Sequence, residues 1–401
     1  MSHLEITVGP SGADVTGSDH MALQGAVDYV AARGGGIVRV LPGVYRMGNS
    51  LFLRDGIRIV GGGDATVLRK CDAASTPLTV NVDWYEEEIR VKDPSIFCVG
   101  GGIWIEGRSP FYQGKVNIAK RTVVAVEGDV VHLDRAVRDD YWLDPGAEAA
   151  TAFPVITAEY VNDAAVESLA IDGNRERNPR LDDNHAGAIF IQDCDRMTFR
   201  DLTIRDYHSD GISAQICDDL VVDGCRIEDC ADLGIHPGSG CQRPRMTHNT
   251  VRRCSQGIFF CWGVRHGLAE GNLIEDCLRY GISIGHRDTD NLIRNNTIRR
   301  SGEIGVLFRT DRGAGRSPDR CVVEDNRVED SGLKGDGVAI DLTGVAEGLV
   351  IRGNRLADTR PADPGRRRIG IRIAPGVLRP VVEGNEIRGM DQDLLDQRNA
   401  K

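Results

Sequence analysis

The chain has 401 residues, 49 basic against 60 acidic for a formal charge of -11, with 48 glycines and 41% hydrophobic residues. Glycine well above the roughly 7% of ordinary usage, without matching proline, excludes collagen, and the apolar content excludes wholesale disorder. Neither sign of charge forms a long run and no stretch approaches the roughly 20 apolar residues of a membrane span, so neither nucleic acid nor a membrane is an expected partner.

The opening MSHLEITVGPSG has no basic or apolar leader, which points to the cytoplasm; a trimmed signal peptide would place the same chain outside the cell or in the periplasm. Ser18 is placed to cap a helix over 18–33 in which Leu23, Ala26, Val27 and Val30 share a face, ended by Gly34, Gly35 and Gly36. Such a helix would cover the end of whatever follows. IVRVLPGVYRM, SLFLRDGIRIVGGG and ATVLRK then alternate as strands, and 1–74 is read as a cap with first coils.

Residues 75–158 carry Trp84, Trp104, Trp142, Tyr85, Phe111, Tyr112 and Tyr141, with alternating segments that turn at glycine. They predict an inserted β-rich subdomain whose aromatics form its core or, as the alternative, stack on sugar rings at a cleft wall.

From 159 to 390 the chain repeats, leaving 391–401 as a tail. Cys194, Cys217 and Cys241 recur at intervals of 23 and 24 residues, and Cys230, Cys254 and Cys277 at 24 and 23. Asn249, Asn272, Asn296, Asn326, Asn354 and Asn385 follow the same period with insertions, and Gly211, Gly234, Gly257, Gly281, Gly305, Gly337 and Gly370 each open an alternating strand. Short strands, tight turns and a period in the twenties predict an all-β, right-handed parallel β-helix. The cysteines then fill stacked interior sites, since they contain no C-x-x-C pair and are odd in number.

In a β-helix, chemistry sits on outward positions of one sheet. Counting from each strand glycine puts Asp210, Ser213 and Gln215 on one coil, and Asp232 and His236 on the next. Tyr280 and His286 follow, then Glu303 and Arg309 with Asp311 and Arg312 just beyond; Ala339 and Ala374 take outward sites later. Loops bearing His185, His208, Trp262 and His266 would overhang. Catalytic roles fall to Asp210, Asp232, His236 and Tyr280, and substrate binding to Gln215, Arg309, His286, Trp262, His208 and His266. An outward His236 contributes little to stability on this reading. His286 with Asp288 and Asp290 has the residue types of a metal set, but strand-end turns account for them better, so no metal is assigned.

The capping helix, Gly-Gly-Gly, Pro-Gly-x-Tyr and repeated-glycine segments of 12–69, with the coils of 160–390, resemble the pectate-lyase-like β-helix superfamily. Asp210 before Gly211-Ile212, Asp232 one coil later, Gly281–Gly285 and Arg309 are similar to polygalacturonase-like glycoside hydrolases, although Leu233 and Tyr280 replace residues of that pattern. Ile235–Gly240, IHPGSG, looks like a distant relative of the alginate C5-epimerase segment.

The resemblance implies an oligo- or polysaccharide substrate cleaved by a carboxyl pair, Asp210 and Asp232, without a cofactor. Its alternatives are a uronate lyase or C5-epimerase, in which a lyase would add calcium, and a noncatalytic glycan-binding or spike-like β-helix, for which a trimer is the expected assembly.

Overall fold

The computed structural model describes residues 4–108, 116–144, 146–182, 184–310, 315–361, 363 and 365–398. Phe111, Tyr112, Asp311 and Arg312 lie outside these residues. Short strands stack in parallel, each bonded to its equivalent one coil on: Asp210–Gln215 to Leu233–Pro237, Val221–Asp223 to Arg245–Thr247, Arg226–Glu228 to Thr250–Arg252. One wall is an eleven-stranded sheet running from Leu51–Phe52 to Gln392–Asp396. The segment read as a C-terminal tail therefore supplies a strand, paired with Arg368–Ile373, because Leu394 continues the column of Ile371.

The core is the inside of this coil, where Ile212, Ile235, Ile258 and Ile282 stack with no exposed surface. Cys230, Cys254 and Cys277 are buried at matching positions of successive coils, in a chain without disulfides. At one corner each asparagine bonds the next: Asn272 Nδ2 donates to Asn296 Oδ1 at 2.8 Å and to the Met246 carbonyl at 2.9 Å, and Asn296 Nδ2 donates to Asn326 Oδ1 at 2.9 Å. The strand glycines are required by close approach. A Cβ on Gly211, Gly234 or Gly257 would lie 2.4–2.6 Å from the carbonyl oxygen of the next glycine in the column.

That column also corrects the sequence reading at its far end. Gly305 stands opposite Ala339, not Gly337, so Ala339 faces the core and the outward sites belong to Asp341 and Arg372, which form an ion pair.

The helix runs His20–Ala32 with Asp19, not Ser18, as its cap; the Asp19 carboxylate accepts from the Ala22 amide at 2.9 Å. Its buried side chains Leu23, Ala26, Val27 and Val30 join the central core. Ile57–Lys70 pairs directly with Ala165–Asp172, so the chain between leaves the stack and re-enters it. That stretch forms a six-stranded antiparallel sheet with an apolar cluster of its own. Tyr141 is buried in it, whereas Trp84 and Tyr85 are exposed, and Trp104 packs with Leu181 and Ala186 of the coil region.

Replacing Asn296 by Ala strands the Asn272 amide, which donates to Asn296 Oδ1 at 3.0 Å. The expected loss is about 1–3 kcal/mol, measured by urea unfolding, because a buried donor left unpaired keeps its full desolvation cost.

Candidate functional site

The outward face of the eleven-stranded sheet aligns Phe190 with Ser213, Ser213 with His236, and Phe259 with Ser283. Asp210 opens its strand and is fully buried. Its Oδ1 accepts from the Leu233 amide at 3.0 Å, and its Oδ2 lies 2.8 Å from His236 Nδ1, which donates to the carboxylate. Ser213 Oγ lies 3.4 Å from that same nitrogen. A serine-hydrolase relay needs the hydroxyl and the carboxylate on opposite ring nitrogens, so this trio is not one.

His236 points away from the coil core and touches the edge of Phe259 at 5.3 Å between centroids, yet only 1% of it is exposed. The expectation that it contributes little to stability is therefore corrected.

Two more glycines shape this face. A Cβ on Gly238 would fall 2.3–2.6 Å from the Gln215 amide, which donates to Ser213 Oγ at 3.2 Å. A Cβ on Gly285 would fall 2.6 Å from the Arg309 guanidinium. Arg309 lies back across the sheet, donating to Ser283 Oγ at 2.7 Å and to the Phe260 carbonyl at 2.6 Å, with its guanidinium 4.1 Å from the Phe259 centroid. Phe259 thus sits between an imidazole and a cation. Beside it, the 59% exposed indole of Trp262 stacks on His286 at 4.7 Å and 19°.

The remaining candidates keep other partners. Asp232 is paired with Arg180 at 2.5 Å, a residue of the 174–186 segment that carries no periodic signal in the sequence. Tyr280 occupies the column of Asp210, Leu233 and Gln256, three coils or about 14 Å from Asp210. Burial, aided by its hydrogen bond with Glu303, pushes its phenol up, which makes it a poorer source of tyrosinate.

His266 stands at a corner with φ 55°, in the surface column of Arg243 and Asp290, away from the sheet face. Asp288 is buried and accepts from the amides of Gly263, Val264 and Gly285, while Asp290 pairs with Arg320. Burial raises the Asp288 carboxyl, against the pull of Arg309. These two and His286 serve separate partners, and among the described residues no group of His, Cys, Asp and Glu is placed to hold a metal.

His208 does not overhang the sheet. It is buried beside Tyr207, its ring nitrogens meeting no hydrogen-bond partner among the described residues, and burial drives its pKa well below the ordinary value. The unfolded chain protonates this histidine near pH 6.5 and the folded one does not, so the stability it supports is complete above that pH and is lost as pH falls. His208→Phe should flatten the slope of unfolding free energy between about pH 7 and 5.

A second stability measurement separates inner from outer residues of the face. His236→Ala removes the partner of a buried carboxylate and should cost about 3 kcal/mol, whereas Trp262→Ala should change stability by less than about 0.5 kcal/mol.

The family model described as "Right handed beta helix region" matches residues 187–356. No curated protein matches the sequence significantly. Among solved structures, the A-module of the Azotobacter vinelandii mannuronan C-5 epimerase AlgE4 matches at 15% identity and a TM-score of 0.51, over 96% of this chain and 97% of that one. PfbA, a surface adhesin of Streptococcus pneumoniae, matches at 11% and 0.51, over 94% and 89%. The Dettilon tailspike protein matches at 13% and 0.50, over 98% of this chain and 63% of that one. The coils, their register and these likenesses together give the chain a right-handed parallel β-helix fold.

Proposed function

We propose that this β-helix is a carbohydrate-active enzyme that takes a uronate-containing oligo- or polysaccharide along the outward face of the eleven-stranded sheet. The observation that carries the reading is the Asp210–His236 pair, buried at 2.8 Å on a face that also presents Gln215, Arg309 and the exposed Trp262–His286 stack. Burying a carboxylate against an imidazole is expensive, and a fold that needs only Ile, Val and small residues to stack gains nothing from it.

The arrangement suits proton transfer. Asp210 orients the ring of His236, as an acid/base histidine requires. Arg309 is a cation of the type that would neutralise a uronate carboxylate and so acidify the neighbouring C–H. In an eliminative cleavage the base takes the C5 proton, the C4–O bond breaks, a C4=C5 double bond forms, and the leaving oxygen collects a proton. Phe259 and the other side chains over His236 must move aside for substrate to reach it.

Hydrolysis by Asp210 and Asp232 is the second reading, since the two carboxylates come from successive coils. Inversion or retention would need them about 5–9.5 Å apart with one free to protonate the leaving group. Arg180 on Asp232 and the Leu233 amide on Asp210 favour the first reading over this one.

A panel of uronate-containing and neutral polysaccharides separates the outcomes. New reducing ends together with conjugated-uronate absorbance are expected, falling about 100-fold or more in Asp210→Asn while the fold is kept. Reducing ends without the chromophore, lost equally in Asp232→Asn, would establish the hydrolase. Glycan binding with neither product would make the protein a noncatalytic binder and overturn the enzyme reading.

A further inference from the structure

Between the inserted sheet and the first coils lies a cavity of about 410 Å³, walled by the strand Val116–Glu127 on one side and by 49–55 and 153–161 on the other. Four cationic side chains face it. Arg121 spends its guanidinium on the carbonyls of Lys120, Arg135 and Ala136; Arg54 pairs with Asp28; Arg135 meets Glu159 at 3.4 Å. Lys120 differs from all three. Its ammonium sits 3.5 Å over the ring of Phe190 and donates to no acceptor among the described residues.

The choice of lysine is itself unusual, because only six of the chain's 49 basic residues are lysine and most surface ion pairs among the described residues are made by arginine. Arginine suits fixed bidentate pairing, whereas an ammonium is a compact charge that can be met by an incoming group.

We propose that this cavity is a binding site for one hexuronic acid unit, its carboxylate on Lys120 Nζ and its ring against Phe52 and Tyr160. The volume is of the size that encloses a small ligand. One cation with no hydrogen-bond acceptor among the described residues matches a single negative charge, and the lining carboxylates Asp55, Asp134 and Glu159 disfavour a more highly charged ligand. A phosphate would call for several convergent cations or amides. Tyr160, 76% exposed, and the half-buried Phe52 supply apolar surface for a sugar ring. Phe190, beneath Lys120, lies two coils or about 10 Å from His236 along the same outward column, so a bound unit would stand at the end of a chain lying on the proposed face. The choice of a sugar acid rests on the glycan reading above; the site itself rests on the cavity and Lys120.

Burial lowers the Lys120 pKa to about 7, with Glu159 raising it and Arg135 and Arg121 lowering it further. A carboxylate binds the protonated form, which prevails below that pH, so affinity must weaken as pH rises.

The test is calorimetric titration of the full chain with galacturonate and glucuronate, and with galactose and glucose as uncharged controls. Uronate is expected to bind at least about tenfold tighter than the neutral sugars, to lose about tenfold in Lys120→Met, and to lose about tenfold in the wild type between pH 6 and pH 8, following the protonated fraction of an amine with pKa near 7. Equal binding of neutral sugars, or unchanged uronate affinity in a Lys120→Met protein with native melting, overturns the proposal. Should that variant not fold, the wild-type pH series decides, and a flat profile overturns it. Lys120-dependent binding without any glycan turnover would refute the proposed function and leave this site standing; turnover without Lys120-dependent binding would do the reverse.

Discussion

Every coil of this protein is bonded to its neighbours along one axis, so that each residue must lie directly against its counterpart about 4.8 Å away. The rest of the structure follows from that constraint. An inward site must hold a residue that packs on a copy of itself, which isoleucine, valine and cysteine do, as in the stacks through Ile258 and Cys254. A buried polar site must hold a residue that hydrogen-bonds to a copy of itself. Asparagine meets this requirement because it carries donor and acceptor together, and the ladder from Asn249 to Asn385 satisfies amides and carbonyls of three consecutive coils at once.

On the outer face the same constraint works against function, since a repeated residue yields a uniform surface. Distinct side chains appear where the repeat is broken. Between Ser213 and Phe259 the column holds His236, and the neighbouring column exchanges side chains for Gly238 and Gly285, giving Gln215 and Arg309 room to lie along the sheet. The buried contact of Asp210 with His236 is one that stacking does not need, and it is the contact on which the proposed function rests. The charged corners behave differently. Arg243 on Asp219 and Arg300 on Asp276 are exposed ladders that alternate sign from coil to coil, and each such pair is worth little in water.

The inserted sheet adds what a repeat cannot make. It sets a second wall against the first coils, and its strand delivers Lys120 onto Phe190, a contact between segments that share no periodicity. Trp104, from the adjacent strand, packs with Leu181 and Ala186 and ties the insertion to the segment whose Arg180 holds Asp232.

Much of the fold was legible because periodicity is a property of the sequence: the spacings of cysteine, asparagine and glycine dictate which residues stack, and alternation dictates which face inward. The helix face of Leu23, Ala26, Val27 and Val30 was legible for the same reason. The register slipped where an insertion moved the glycine, so Ala339 rather than Gly337 entered the column and Asp341 took the outward place. What only the tertiary structure decided is depth and partnership. Sequence order placed His236, His208 and His266 alike beside the sheet. In the structure one is locked under Phe259 against Asp210, one is sealed beside Tyr207, and one stands at a charged corner. Burial and pairing depend on what arrives from distant, non-repeating segments, such as Arg180 and Lys120. No spacing along the chain encodes those arrivals, because they are settled by the packing of one surface on another.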